Sequence, residues 1–130
     1  MQKDLIEKNL ILKLSFDFSL LVINYCDILD ERRKFTISKQ LIRYATSIGA
    51  NAFEAQDCES KSDFIHKMKR AAKESDETLY WLMLCNYSKN YPSTSELLVK
   101  LEEISKILNK IISTSKRKSP FNYILSFFIF

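Results

Sequence analysis

Between Thr36 and Asn86 the chain reads TISKQLIRYATSIGANAFEAQDCESKSDFIHKMKRAAKESDETLYWLMLCN, with apolar residues recurring every three or four positions. Ile37, Leu41, Ala45, Ile48, Ala52 and Ala55 form one series. Phe64, Met68, Ala71, Ser75, Leu79 and Leu82 form a second, widened by Ile65, Ala72 and Met83. That spacing keeps one face of an α-helix apolar, whereas a strand would need alternation. The break between the two series is polar. Within it Ser60, followed by Asp63, has the chemistry of a helix N-cap. The hydroxyl accepts from an otherwise unpaired backbone N–H, and the acid favours the positive end of the helix. The stretch predicts two amphipathic helices side by side.

The flanks extend the pattern. Ile11, Leu14, Phe18, Leu21, Tyr25 and Ile28 form a heptad-like seam, widened by Leu10, Phe16, Val22 and Leu29. A stripe this wide requires more than one neighbouring helix. Leu97, Leu101, Ile104, Leu108 and Ile111 mark a fourth helix. The expected helices are about 9–30, 37–57, 61–87 and 95–115, with Thr36 or Ser38 capping the second and Thr94 opening the fourth. One Gly and two Pro in 130 residues leave little for the turns of a sheet. Gly49 falls mid-helix, where Gly costs about 1 kcal/mol relative to Ala, so close approach by another helix is its expected use. With 46% hydrophobic and 28% charged residues, the chain is globular rather than disordered. The fold class expected is all-α: a left-handed, antiparallel up-down four-helix bundle forming one domain over residues 1–119.

Residues 120–130 stand apart as an apolar, uncharged tail, PFNYILSFFIF. Docking on the bundle, burial in an oligomer interface and an altered reading of the gene's end all fit it. It is too short to span a bilayer as a helix, and Lys13 and Asp17 interrupt the run LILKLSFDFSLLVI below the roughly 18 residues a span requires. No membrane association is expected, and no small-residue cleavage site marks a signal peptide. Cys26, Cys58 and Cys85 form no CxxC pair, which suits a reduced, cytoplasmic protein.

Catalysis is not expected. His66 is the only histidine and lies in a basic segment; there is no Gly-rich phosphate loop. The paired Glu-x-x-His motifs of di-iron bundles are absent, and Glu74 and Glu77 have no His at the required offset. No metal site and no cofactor are expected.

Charge is distributed in blocks. Residues 1–31 carry three Lys against six acids, 32–73 ten Lys or Arg against four, 74–103 two Lys against six, and 104–130 five Lys or Arg and no acid. Opposite charges on successive helices suit mutual compensation in a bundle, and they also leave basic surfaces. Three basic groups are candidates for nucleic-acid contact: Arg32, Arg33, Lys34, Lys39 and Arg43; Lys67, Lys69, Arg70 and Lys73; and Lys116, Arg117 and Lys118. Up-down order places Arg32–Lys34 and Lys116–Lys118 at opposite ends. Ser47, Asn51 and Glu54 share a helix face and, with Lys73 and Glu77, are expected to form a polar network fixing helix register.

The segments SKQLIRYATSIGANAFEA (Ser38 to Ala55) and SDFIHKMKRAAKESDETLYWL (Ser62 to Leu82) resemble the four-helix-bundle proteins related to the 23S ribosomal RNA intervening-sequence protein. The similarity covers roughly Phe16 to Ser113. It is carried by Ser47-Ile48-Gly49-Ala50-Asn51 with Glu54-Ala55, and by Lys73-Glu74 with Glu77, Tyr80 and Trp81. Ala52 stands where the family usually has Ile, and Gln56-Asp57-Cys58-Glu59 is more acidic than the usual connection. The resemblance implies an antiparallel bundle assembling as a ring-like homo-oligomer, a pentamer. A related branch comprises accessory proteins of diversity-generating retroelements, which bind nucleic acid and a reverse transcriptase through basic surfaces. The function expected is therefore a non-enzymatic, oligomeric accessory protein that binds RNA or DNA. The alternative is a protein–protein scaffold with no nucleic-acid role. Steep salt dependence of binding separates the two.

Overall fold

The computed structural model describes residues 9–117. These form four helices: α1 (Leu10–Glu31), α2 (Phe35–Glu54), α3 (Lys61–Tyr87) and α4 (Ser95–Arg117). α2 runs on into a single 3-10 turn, Ala55–Asp57. No strand occurs among the described residues. α1 packs on α2 and α4, and α3 packs on the same two helices. The apolar tail over 120–130 lies outside the described residues.

One core runs between the helices. Ile11, Phe18, Val22 and Leu29 from α1 meet Leu41 and Ile48 from α2, Met68 and Leu82 from α3, and Leu101, Ile104, Leu108 and Ile111 from α4, all essentially without exposure. Truncating any one of the large aliphatic side chains there to Ala is worth about 2–5 kcal/mol. The α4 spacing places all five predicted residues, Leu97 to Ile111, in this core. On α1 the buried stripe is rotated from the predicted seam. Ser15, Val22, Cys26 and Leu29 are buried, while Leu14 and Leu21 are half-buried and Ile28 is exposed. The cause is close packing against α2. A Cβ on Gly49 would lie 3.2 Å from Ser15 Oγ, so the missing side chain lets α2 settle onto that side of α1. On α3 the stripe also drifts. Thr78 and Cys85 are buried, whereas Leu79 and Met83 face outward.

The helix ends follow local chemistry. Asp63 N–H donates to Ser60 Oγ at 3.1 Å, the expected cap of α3. Asn9 caps α1, accepting from Leu12 N–H at 3.4 Å. α2 begins at Phe35, before both expected caps, and its N-cap Lys34 makes no side-chain cap bond. Ser38 is instead buried against α1. Its hydroxyl donates to the Cys26 carbonyl at 3.3 Å, and the Cys26 thiol donates to the Ser38 carbonyl at 3.5 Å. Thr94, just before α4, reaches back to α3, donating its hydroxyl to the Leu82 carbonyl at 2.8 Å.

These contacts gather the connections at two ends. At one, Tyr25 O–H donates to the Pro92 carbonyl at 2.7 Å, and the Arg32 guanidinium donates to the Asn90 carbonyl at 3.4 Å. At the other, Lys61 Nζ donates to the Lys116 carbonyl at 3.5 Å, tying the start of α3 to the finish of α4. Arg32–Lys34 and Lys116 are thus at opposite ends of the molecule.

Candidate nucleic-acid interface

The first basic group is largely engaged in holding its own end together. Arg33 adopts a left-handed backbone, φ 61°. Its N–H donates to the Asp30 carbonyl at 3.0 Å, and Lys34 N–H donates to the Leu29 carbonyl at 2.8 Å. That pair of bonds is a Schellman termination of α1. Lys34 Nζ sits 5.2 Å from the centre of the Tyr91 ring, a cation–π contact to the α3–α4 connection. Arg43, further along α2, donates to Tyr44 O–H at 2.9 Å and lies over the same ring. Lys39 is exposed on α2.

The second group divides by face. Lys67 points towards α2 and pairs with Glu54 at 3.4 Å. Lys69, Arg70 and Lys73 follow His66 at three, four and seven positions, the spacing of a single helix face. They line an open groove of about 480 Å³ in which Glu74 is the one carboxylate. This groove adjoins a second, of about 440 Å³, lined by Lys61, Ser62, Ile65, His66, Lys69 and Lys116. His66 and Lys69 border both. The finish of α4 therefore completes a basic surface begun by the first half of α3. Arg117 is exposed at the same end, and Lys118 lies outside the described residues.

Lys69 and Lys116 come from different helices and line the same groove. The proximity of the Lys69 ammonium holds the Lys116 ammonium below the usual lysine pKa. Two lysines elsewhere pair with carboxylates on their own helices: Lys13 meets Asp17 at 3.1 Å and Lys106 meets Glu102 at 3.3 Å. Such exposed pairs are individually weak, but they neutralise charge locally.

The expected polar network has a different form. Ser47 Oγ donates to the Arg43 carbonyl at 2.7 Å, and Asn51 Nδ2 donates to the Ser47 carbonyl at 2.8 Å. Both bonds stay within α2. Glu54 does cross to α3, but to Lys67 rather than Lys73. The reason is helical phase: six residues separate Lys67 from Lys73, which turns Lys73 onto the groove face. A polar bond that does link α3 to α4 is between the Ser75 and Ser105 hydroxyls, 2.5 Å apart.

Sequence reasoning missed Lys61, Ser62 and Ile65 as groove residues. Lys61 lies 55 positions from Lys116, and no local pattern signals that pairing. No group of His, Cys, Asp and Glu among the described residues is arranged to hold a metal ion. No described helix is long and apolar enough to cross a membrane.

No curated protein matches the chain. Among solved structures, a protein with unknown function from the S23 ribosomal protein family of Bacteroides thetaiotaomicron is 36% identical, with a TM-score of 0.74 over 78% of this chain and 97% of that one. The family described as 23S rRNA-intervening sequence protein matches residues 7–110, most of the chain and all but the last turns of α4. The four helices, the residues that separate them and this match agree: the chain is a member of the 23S rRNA-intervening sequence protein family.

Proposed function

We propose that this protein is a non-enzymatic, homo-oligomeric accessory protein of the cytoplasm that holds RNA or DNA against the basic surface of α3 and the end of α4. The observation that carries this reading is the gathering of Lys69, Arg70, Lys73 and Lys116 on adjoining grooves with Glu74 as the lone acid among the lining residues. Lysines and arginines placed this way contact phosphates without reading bases, so affinity without sequence preference is the expected mode. The family's description, which refers to ribosomal RNA, supports the same ligand class. The left-handed, antiparallel up-down bundle belongs to this reading as well; its antiparallel order is supported by the contacts that gather alternate connections at opposite ends.

Fluorescence anisotropy with a structured RNA and a duplex DNA across a salt series tests it. If the four cations each take a phosphate, log Kd rises with log salt with a slope of about 3 to 4. Absence of binding at low salt would refute the reading.

A second reading, a protein–protein scaffold, is favoured by exposed apolar side chains. Phe16, Leu20 and Ile23 on α1, and Leu79, Tyr80, Met83 and Leu84 on α3, are each more than a third exposed. Faces of this kind mark association surfaces. Here they support self-association, which is compatible with nucleic-acid binding and multiplies any basic surface.

A further inference from the structure

The notch between the start of α3 and the end of α4 differs from the rest of the basic surface. Its lining residues, Lys61, Ser62, Ile65, His66, Lys69 and Lys116, include no carboxylate. Two helices contribute its cations, so their spacing is set by the packing of α3 on α4 rather than by the flexibility of one segment. Lys61 fastens that packing from below through its bond to the Lys116 carbonyl. On the same helix the chain supplies Lys67 with Glu54, two residues from Lys69. Lys69 lines the notch together with the Lys116 ammonium of α4.

Two like charges held together across a helix–helix joint repel, and a bridging anion removes that repulsion. A phosphate group presents several acceptor oxygens, enough to take a hydrogen bond from each ammonium at once. The first turn of α3, where Ser62 lines the notch, adds the positive end of a 27-residue helix. Ile65 forms one apolar wall, and the neighbouring groove carries Arg70 and Lys73 onward along α3.

We infer that the α3–α4 notch is a phosphate clamp in which Lys69 and Lys116 grip one phosphate of a bound nucleic acid, with Arg70 and Lys73 tracking the strand that leads away from it. This rests on the nucleic-acid reading above and narrows it. A clamp built for one phosphate concentrates affinity at Lys69 and Lys116, whereas a diffuse field spreads it over every cation. The phosphate has two sources, a terminal monoester or an internal diester of the chain.

The test is anisotropy at low salt with one single-stranded RNA prepared with a 5′-phosphate and with a 5′-hydroxyl. The proteins are the wild type, Lys69→Glu/Lys116→Glu, Lys69→Arg/Lys116→Arg and the charge-matched control Arg33→Glu/Lys39→Glu, each checked for helicity by circular dichroism. The clamp predicts at least a tenfold loss for Lys69→Glu/Lys116→Glu, less than threefold for the control, and retention of most binding by the Arg variant. A preference of the wild type for the 5′-phosphate that disappears in Lys69→Glu/Lys116→Glu supports the clamp and assigns a terminal monoester. Equal affinity for both RNAs, lost together in that variant, supports it and assigns an internal diester. Equal losses in the two charge-reversed variants would overturn the clamp and leave the broader nucleic-acid reading in place. A wild type that binds neither RNA would overturn both.

Discussion

Arg33 occupies a position that glycine usually fills. Its φ of 61° lies in the left-handed region, and the two bonds that close α1 depend on it. A non-glycine residue there carries a cost of about 1–2 kcal/mol, and glycine recovers part of it after its own loss of chain entropy. Arg33→Gly is therefore expected to raise stability by about 0.5–1 kcal/mol, read as a melting point higher by a few degrees. Because Arg33 lies at the opposite end from the basic grooves, the same variant is expected to keep its RNA affinity within about twofold in the anisotropy assay. A lower melting point would contradict the assigned role of the residue. A basic side chain in a charged loop invites a binding role, but here geometry assigns Arg33 to helix termination and Lys34 to the Tyr91 ring.

At the scale of elements, the α1–α2 contact has two points of closest fit: Gly49 against Ser15, and the reciprocal bonds of Cys26 and Ser38. Burial pushes the Cys26 thiol from 9.0 up to about 11. The folded state therefore holds a proton that the unfolded chain releases above pH 9. The stabilisation is complete below about pH 9 and is lost as pH rises through about 11, at most about 3 kcal/mol. Thermal melts at pH 8 and pH 10.5 should show a clear drop for the wild type and a shallower one for Cys26→Ala, despite the lower starting stability of the variant. Equal drops would exclude Cys26 as the source.

Helix positions were legible in the sequence because the three-four spacing and Ser60 act locally. The bounds of α3 and the buried face of α4 follow directly from them. The role of Gly49 was legible too, since a lone glycine mid-helix needs a steric reason. The start of α2 was not, because the Schellman bonds close α1 without a capping side chain and Ser38 is drawn into the contact with Cys26. The basic surface was half legible. Lys69, Arg70 and Lys73 announce themselves by spacing, but Lys67 turns away to Glu54, and the approach of Lys116 to Lys69 arises only when α3 and α4 pack.

For the whole molecule, most of the exposed large apolar residues fall on α1 and α3, with Phe35 on α2 and Val99 on α4 besides; α1 and α3 both pack chiefly on α2 and α4 rather than on each other. Two different faces meeting head to tail give a ring or a filament, while one face meeting itself gives a dimer. A ring is the assembly proposed, of five copies as the family resemblance implies. Native mass spectrometry is expected to give a closed multiple of 15.3 kDa, and Leu20→Asp with Met83→Asp is expected to give a helical monomer. A wild-type monomer at micromolar concentration would remove the ring from the account. The ring would also repeat the basic groove once per copy, so RNA affinity should fall in the monomeric variant although its grooves are untouched.

The claim at the centre is that nucleic acid lies on the α3–α4 side and not at the Arg32–Lys34 end. Lysine-reactivity footprinting by mass spectrometry, with and without a saturating structured RNA, reads this residue by residue in the unmodified sequence. Protection of Lys69, Lys73 and Lys116 is expected, with Lys34 and Lys39 reacting as in the free protein. Protection confined to Lys34 and Lys39, with Lys69, Lys73 and Lys116 unchanged, would contradict it.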